Sequence, residues 1–427
     1  MSYSISERHF KYTLYVIFFI VFIIVINRSI VEFPDSEGYL TMSIIRSPIY
    51  PIFLASLKTI FSNNFYLATI IFQTFFCLFS INFLIKNIRS TMQISSFWYI
   101  LLTIILLVPC VYNHNIVNRF LSEALAYPLY LLVVSYYILS FFKENIRYLL
   151  YAFPLLFLLI LTRSQFFFLI PIAIFILLWI NFKKKSFKKY IWLYILFFVF
   201  PILTSTIDKL YHGIKHNYFV NTPWTGLHLI TPAFYVADKE DVSIYKSEKE
   251  KHFFNAIFDI LERKKLNINY LDSSVYDETE YYLTNFTQIA NHTIYDDGKD
   301  LLGNNLSENE KFIKLDEITK KMAFPLIIDN FTLWLKLYIK NFINAFENSR
   351  YALLYFIILF FGLFQLKRMS TNKVKFIIIG SLFTILNVAI VAIGMETIKR
   401  FTFYNDWIFF LIIFVFLDTF IENKKTI

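Results

Sequence analysis

YTLYVIFFIVFIIVIN, residues 12–27, carries no charge along its whole length and is followed at once by Arg28, Glu32, Pro34, Asp35 and Glu37. A run this apolar fits a hydrocarbon layer about 30 Å thick only as a helix, because a backbone in lipid must satisfy its own polar groups. It follows Arg8 and Lys11 as the core of a signal peptide would, yet no small-x-small cleavage site comes after it. We read it as the first membrane helix, ending at a polar boundary that holds two carboxylates.

Working outward, the same pattern recurs to the far end of the chain. The 427 residues are 57% hydrophobic, 20% aromatic and 17% charged, against about 45–50% apolar and about 25% charged in soluble domains. Helices fit at 12–28, 66–85, 97–112, 122–142, 148–162, 166–182, 190–207, 351–366, 375–394 and 402–420. A barrel would instead need short alternating strands. The expected fold class is an all-α polytopic membrane protein of about ten transmembrane helices.

The net charge of +10 is unevenly placed. Lys86/Arg89, Lys143/Arg147, Lys183 to Lys189, Lys367 to Lys375 and Lys424/Lys425 mark cytoplasmic loops under the positive-inside rule. Both termini are then expected in the cytoplasm, and 29–65, 113–121, 163–165, 208–350 and 395–401 on the outer side of a cytoplasmic membrane. Such a balance reports topology, not nucleic-acid binding. The domains expected are an N-terminal transmembrane module (1–207), an extracytoplasmic domain with an amphipathic helix (208–350) and C-terminal transmembrane helices (351–427).

Shorter features fill in this frame. In the loop 29–65, residues 36–45 and 51–61 predict two interfacial helices, broken at Pro48 and Pro51. Apolar residues between Phe324 and Phe346 recur at helical spacing among Lys336, Lys340 and Asn341, predicting one amphipathic surface helix. Cys77 and Cys110 sit in apolar runs without CxxC spacing, so neither a disulfide framework nor a zinc site is indicated. They read as lipid-facing or core fillers. His212, His216 and His228 with Asp208 do not present the metal-plus-carboxylate pattern of a zinc hydrolase, and no metal or other cofactor is called for, although a divalent cation remains compatible.

Ionisable residues near outer helix ends form one set: Asp35, Glu37, Arg46, His114, Arg119, Glu123, Arg163, Glu396, Lys399 and Arg400. Each such group costs roughly 2.5–3.5 kcal/mol at a membrane helix centre, so groups kept near that depth tend to serve function. Plainer roles exist for several. Asp35 suits the cap of the helix beginning near Ser36, Glu37 and Glu123 suit first helical turns, and Arg46 suits a lipid-headgroup anchor. Together, acids and bases at one level fit a reaction in which a carboxylate activates a hydroxyl while cations hold a phosphate leaving group.

Asp35-Ser36-Glu37-Gly38-Tyr39, followed by Arg46-Ser47-Pro48-Ile49-Tyr50-Pro51, resembles the first outer loop of GT-C fold glycosyltransferases of the protein O-mannosyltransferase and aminoarabinose-transferase type. Leu121-Ser122-Glu123-Ala124-Leu125, Leu161-Thr162-Arg163 and Lys399-Arg400-Phe401 are similar to later landmarks of that family, in the same order. The likeness covers most of the membrane part but not 208–330. It implies a polyprenyl-phosphate sugar donor, an acceptor that is a lipid, a glycan or a protein, and Asp35 as base, with Glu37 beside it. It further implies Arg163 and Arg400 as donor-phosphate ligands; Arg46, Tyr50, Glu123 and Lys399 are further candidates for the substrate site. This chain departs from the pattern in two places: Ser36 separates the two acids, and Arg400 is followed by Phe where Tyr is commoner.

The leading expectation is therefore a membrane glycosyltransferase of the cell envelope. A polymerase of lipid-linked repeats is the enzymatic alternative and a lipid-linked glycan flippase the non-enzymatic one. Transporters of that kind tend to show inverted repeats and broken midplane helices, of which the sequence shows little.

Overall fold

The computed structural model describes residues 6–112, 115–272 and 274–425. Its α-helices, in chain order, begin with α1 (Glu7–Ile26), α2 (Pro34–Leu40), α3 (Ile49–Phe61), α4 (Phe65–Thr91), α5 (Ser96–Val111), α6 (Glu123–Lys143), α7 (Arg147–Thr162), α8 (Leu169–Lys184) and α9 (Phe187–His216). They continue with α10 (Thr225–Val236), α11 (Glu248–Arg263), α12 (Glu278–Thr287), α13 (Gly298–Asp300), α14 (Glu308–Asp329), α15 (Phe331–Asn344), α16 (Ser349–Arg368), α17 (Asn372–Val391), α18 (Lys399–Thr402) and α19 (Asp406–Lys425). Among the described residues there is no strand, only an isolated parallel bridge between Val31 and Arg119. The chain divides into two compact units. The first is Met1–Ser205 with Leu354–Asn387 and Phe403–Ile427; the second is Thr206–Leu353 with Val388–Thr402.

Nine helical runs among the described residues are long and apolar enough to cross a membrane. The chain is thus a multi-pass membrane protein by the length and composition of its helices. The span expected at 148–162 is α7, with only 16 residues; at 1.5 Å per residue it covers about 24 Å, short of about 30 Å of hydrocarbon.

Within the first unit, α6 is buried nearly all round and packs on α4 and α7. Helix α4 explains how an apolar helix has an inside. Thr69, Gln73, Cys77 and Ser80 follow one helical face and are buried, while Phe72, Phe75 and Phe79 point outward. Polar and small residues pack at helix contacts in lipid and large apolar ones meet the acyl chains. Both cysteines are buried core residues. At the other end of α6, Glu144 takes a left-handed conformation and binds Lys183 and Lys375 at 2.7 Å each. Lys375, 3% exposed, also donates to the carbonyls of Phe141 and Phe142. A basic cluster readable as a topology signal therefore also caps the C-terminal carbonyls of α6.

Two expectations are corrected along the second unit's chain. The helix expected to stop at 207 runs on to His216, where Asp208 accepts the Thr222 backbone N–H at 2.7 Å and its hydroxyl at 2.9 Å. The single amphipathic helix expected over 324–346 is two helices, α14 and α15, meeting at a bend of 100°. Asn330 makes the corner, leaving helical geometry (φ −98°, ψ 27°) and donating from its amide to Asp241 Oδ2 at 2.6 Å.

Helices α10, α11, α12 and α14 and the π-helical turn 288–297 enclose the second unit's core, built around Phe234, Phe254, Ile257, Tyr282 and Met322. Close approach of α10 to α14 requires Gly226. A Cβ there would collide with Thr319 Oγ1 and lie 2.6 Å from the Asp316 carbonyl, while the Gly226 N–H donates to Asp316 Oδ1 at 2.7 Å. Because a backbone carbonyl cannot step aside, Gly226→Ala is expected to cost at least the about 1–3 kcal/mol of an overpacked core. Thermal unfolding of the purified protein would show it, and a wild-type transition temperature would refute it.

Candidate functional site

The first unit gathers four of the sequence-predicted residues, Asp35, Arg46, Glu123 and Arg163, into one network, starting from the loop after α1. Helix α2 begins with Pro34, and Ser36 accepts at its start from the Phe33 N–H at 2.9 Å. Asp35 thus lies inside the first turn and is not the cap. The helix stops at Leu40, not at Ile45 as expected. Met42 is left-handed (φ 57°), Ser43 N–H donates to the Gly38 carbonyl at 2.8 Å and Met42 N–H to the Tyr39 carbonyl at 3.3 Å. This is a Schellman termination, here with methionine at the position glycine usually takes. Its consequence is a reversal of the chain that lays Arg46 back over α2.

Arg46 then meets Asp35, its Nη2 lying 2.9 Å from Oδ1, and stacks its guanidinium 4.7 Å from the centre of the Tyr39 ring. The Asp35 side chain keeps 33% of its exposure and Arg46 16%, so the pair is half-open. It is not the free lipid anchor Arg46 was a candidate for. Tyr39 carries the connection inward, donating its hydroxyl to Ser122 Oγ at 3.0 Å. Arg163 Nη1 donates to the same oxygen at 3.1 Å and pairs with Glu123 Oε1 at 2.9 Å. That second pair is nearly closed, with side chains 10% and 3% exposed. Two arginine–carboxylate pairs, one open and one buried, are joined through Tyr39 and Ser122.

The remaining assignments fall elsewhere. Tyr50 is fully buried, its hydroxyl donating to Gln73 Oε1 at 2.9 Å with the Arg119 carbonyl also within reach at 3.2 Å, and its ring edge meets Tyr39. It fixes the loop to α4 and is closed off from the surface. Glu37 is exposed on α2. Arg119 lies over the Phe33 ring at 4.5 Å. His114 lies outside the described residues. Lys399 and Arg400 belong to the second unit. There Lys399 is exposed and pairs with Glu347 at 3.0 Å. Burial raises the Glu396 carboxyl above its ordinary range against the opposing pull of Arg400. Among the described residues no three His, Cys, Asp or Glu side chains gather where a metal ion would sit.

Sequence reading missed Tyr39 and Ser122 as connectors. Both lie inside the quoted motifs, but only the Met42 reversal and the packing of Tyr39 beside Leu121 and Ala124 give them partners. Gly38 supports the same geometry, since a Cβ there would sit 2.7 Å from Arg46 Nε. The arginine is flexible enough to yield, so Gly38→Ala should fold normally while displacing the guanidinium from Asp35. A misplacement of about 1 Å can cost about 100-fold in rate, and a loss of about 10- to 100-fold is expected in the turnover assay described below. Unchanged turnover would show that the Arg46 position does not matter.

No family model, curated protein or solved structure matches this chain.

Proposed function

We propose that the chain is a membrane glycosyltransferase that moves a sugar from a polyprenyl-phosphate donor to a hydroxyl acceptor of the cell envelope, with Asp35 as general base. The observation that carries this reading is the half-open Asp35–Arg46 pair at the polar end of the first apolar helix, backed by the buried Glu123–Arg163 pair. Asp35 takes the proton of the acceptor hydroxyl as its oxygen bonds to the anomeric carbon. The bond from that carbon to the phosphate oxygen breaks, and the electron pair leaves with the polyprenyl phosphate. A guanidinium carries five N–H donors in a planar fork, so Arg46 can hold Asp35 with one edge and a phosphate oxygen with another. Arg163, committed to Glu123 and Ser122, serves as a positioning residue. The resemblance of residues 35–51 to GT-C first loops supports the same chemistry, and the basic clusters support an outward-facing site in the cytoplasmic membrane.

The test is donor consumption. Purified protein given polyprenyl-phosphate hexose or pentose and a cell-envelope extract as acceptor should release polyprenyl phosphate and label the acceptor. Movement of the lipid-linked sugar across proteoliposomes without donor breakdown would instead establish a flippase.

A further inference from the structure

A cleft of about 550 Å³ opens in the second unit between Leu271, the segment 274–278 and α15, within the range of about 300–1,000 Å³ for small-molecule sites. Lys336 and Lys340, one turn apart on α15, each reach Glu278 Oε2 at 2.9 Å, and Asp277 Oδ2 lies 3.8 Å from Lys340. Glu278 is 5% exposed, and its Oε1 has no hydrogen-bond partner among the described residues. Burial raises this carboxyl, but the hydrogen bonds from Lys340 and Lys336 outweigh it and hold the group below its ordinary range, hence ionised. Leu271, Ser274, Val275 and Tyr276 line the rest of the wall, with the Tyr276 ring partly exposed.

We propose that this cleft is a binding site for a neutral saccharide. The charges in the wall choose the ligand class. Two ammonium groups and two carboxylates share the wall, so it offers no net charge to attract a phosphate or a cation. A sugar hydroxyl both donates and accepts, so one ring can donate to a carboxylate and accept from a lysine at neighbouring positions. Tyr276, 39% exposed, offers an apolar face to ring C–H groups. As a binding site the inference stands alone; as the seat of the acceptor it rests on the transferase reading.

The experiment is equilibrium binding of the full-length protein, held in a detergent without sugar headgroups, to an array of neutral mono- to trisaccharides of glucose, galactose, mannose and N-acetylglucosamine. The phosphorylated counterparts form a second arm. Binding to at least one neutral glycan is expected, weakened at least tenfold in both Lys336→Ala and Tyr276→Ala. Lys336 is 57% exposed in its side chain, so its removal leaves the fold intact even where Glu278→Gln does not. No neutral glycan bound, a smaller loss in either variant, or preference for the phosphorylated arm overturns the proposal. No lipid-phosphate donor is present, so a protein inert in the turnover assay that still binds keeps this inference and loses only the transferase reading.

Discussion

Asp35→Asn is expected to slow donor consumption by about 10²- to 10⁴-fold, the contribution of a positioned general base. Asparagine matches aspartate in shape and can still meet Arg46, but it cannot accept the acceptor's proton. Stability should barely change. The pair being broken is partly solvated, and such pairs are worth about 0–1 kcal/mol. A large drop in rate at a wild-type unfolding temperature therefore separates a chemical role from a structural one. Turnover within threefold of wild type would remove Asp35 from the mechanism, and with it the assignment of the first loop as the reaction centre.

The second large effect is expected at the buried pair and has the opposite character. Arg163→Met takes from Glu123, with 3% of its side chain exposed, the cation it pairs with, and breaking a buried pair in this way costs about 3–5 kcal/mol. Replacing both residues, as Glu123→Leu with Arg163→Met, removes the charge along with its partner and should recover most of that loss, because apolar pairs of similar volume are often as stable as the ions they replace. The double variant should therefore be more stable than the Arg163→Met single variant. Thermal unfolding in detergent measures the cycle. Additive losses would show that Glu123 and Arg163 do not act as a pair. Turnover should stay low in the double variant, since Ser122 and Tyr39 lose the arginine that braces them.

How much of this was legible in the residues varies by element. Helices at 97–112 and 122–142 are observed at Ser96–Val111 and Glu123–Lys143, because a membrane helix is an average over many side chains and tolerates a slip of one. The extension of α9 past 207 was not legible. Asp208 and Lys209 end the apolar average, yet Asp208 and buried His212 find partners at Thr222, and the helix continues. The corner at Asn330 was hidden for the converse reason: hydropathy reads straight through a residue whose effect depends on Asp241, far away in sequence.

The residues alone determined that apolar runs must be helical and which acids and bases lie at their polar ends, because insertion into lipid is a sum over neighbouring side chains along the chain. They did not determine who pairs with whom. Arg46 meets Asp35 only because α2 stops at Leu40 and Met42 turns the chain back, and Arg163 meets Glu123 only because α6 and α7 pack side by side. Tertiary structure decided these pairings, since an ion pair or hydrogen bond depends on distance in space, whereas hydropathy depends on position in the chain.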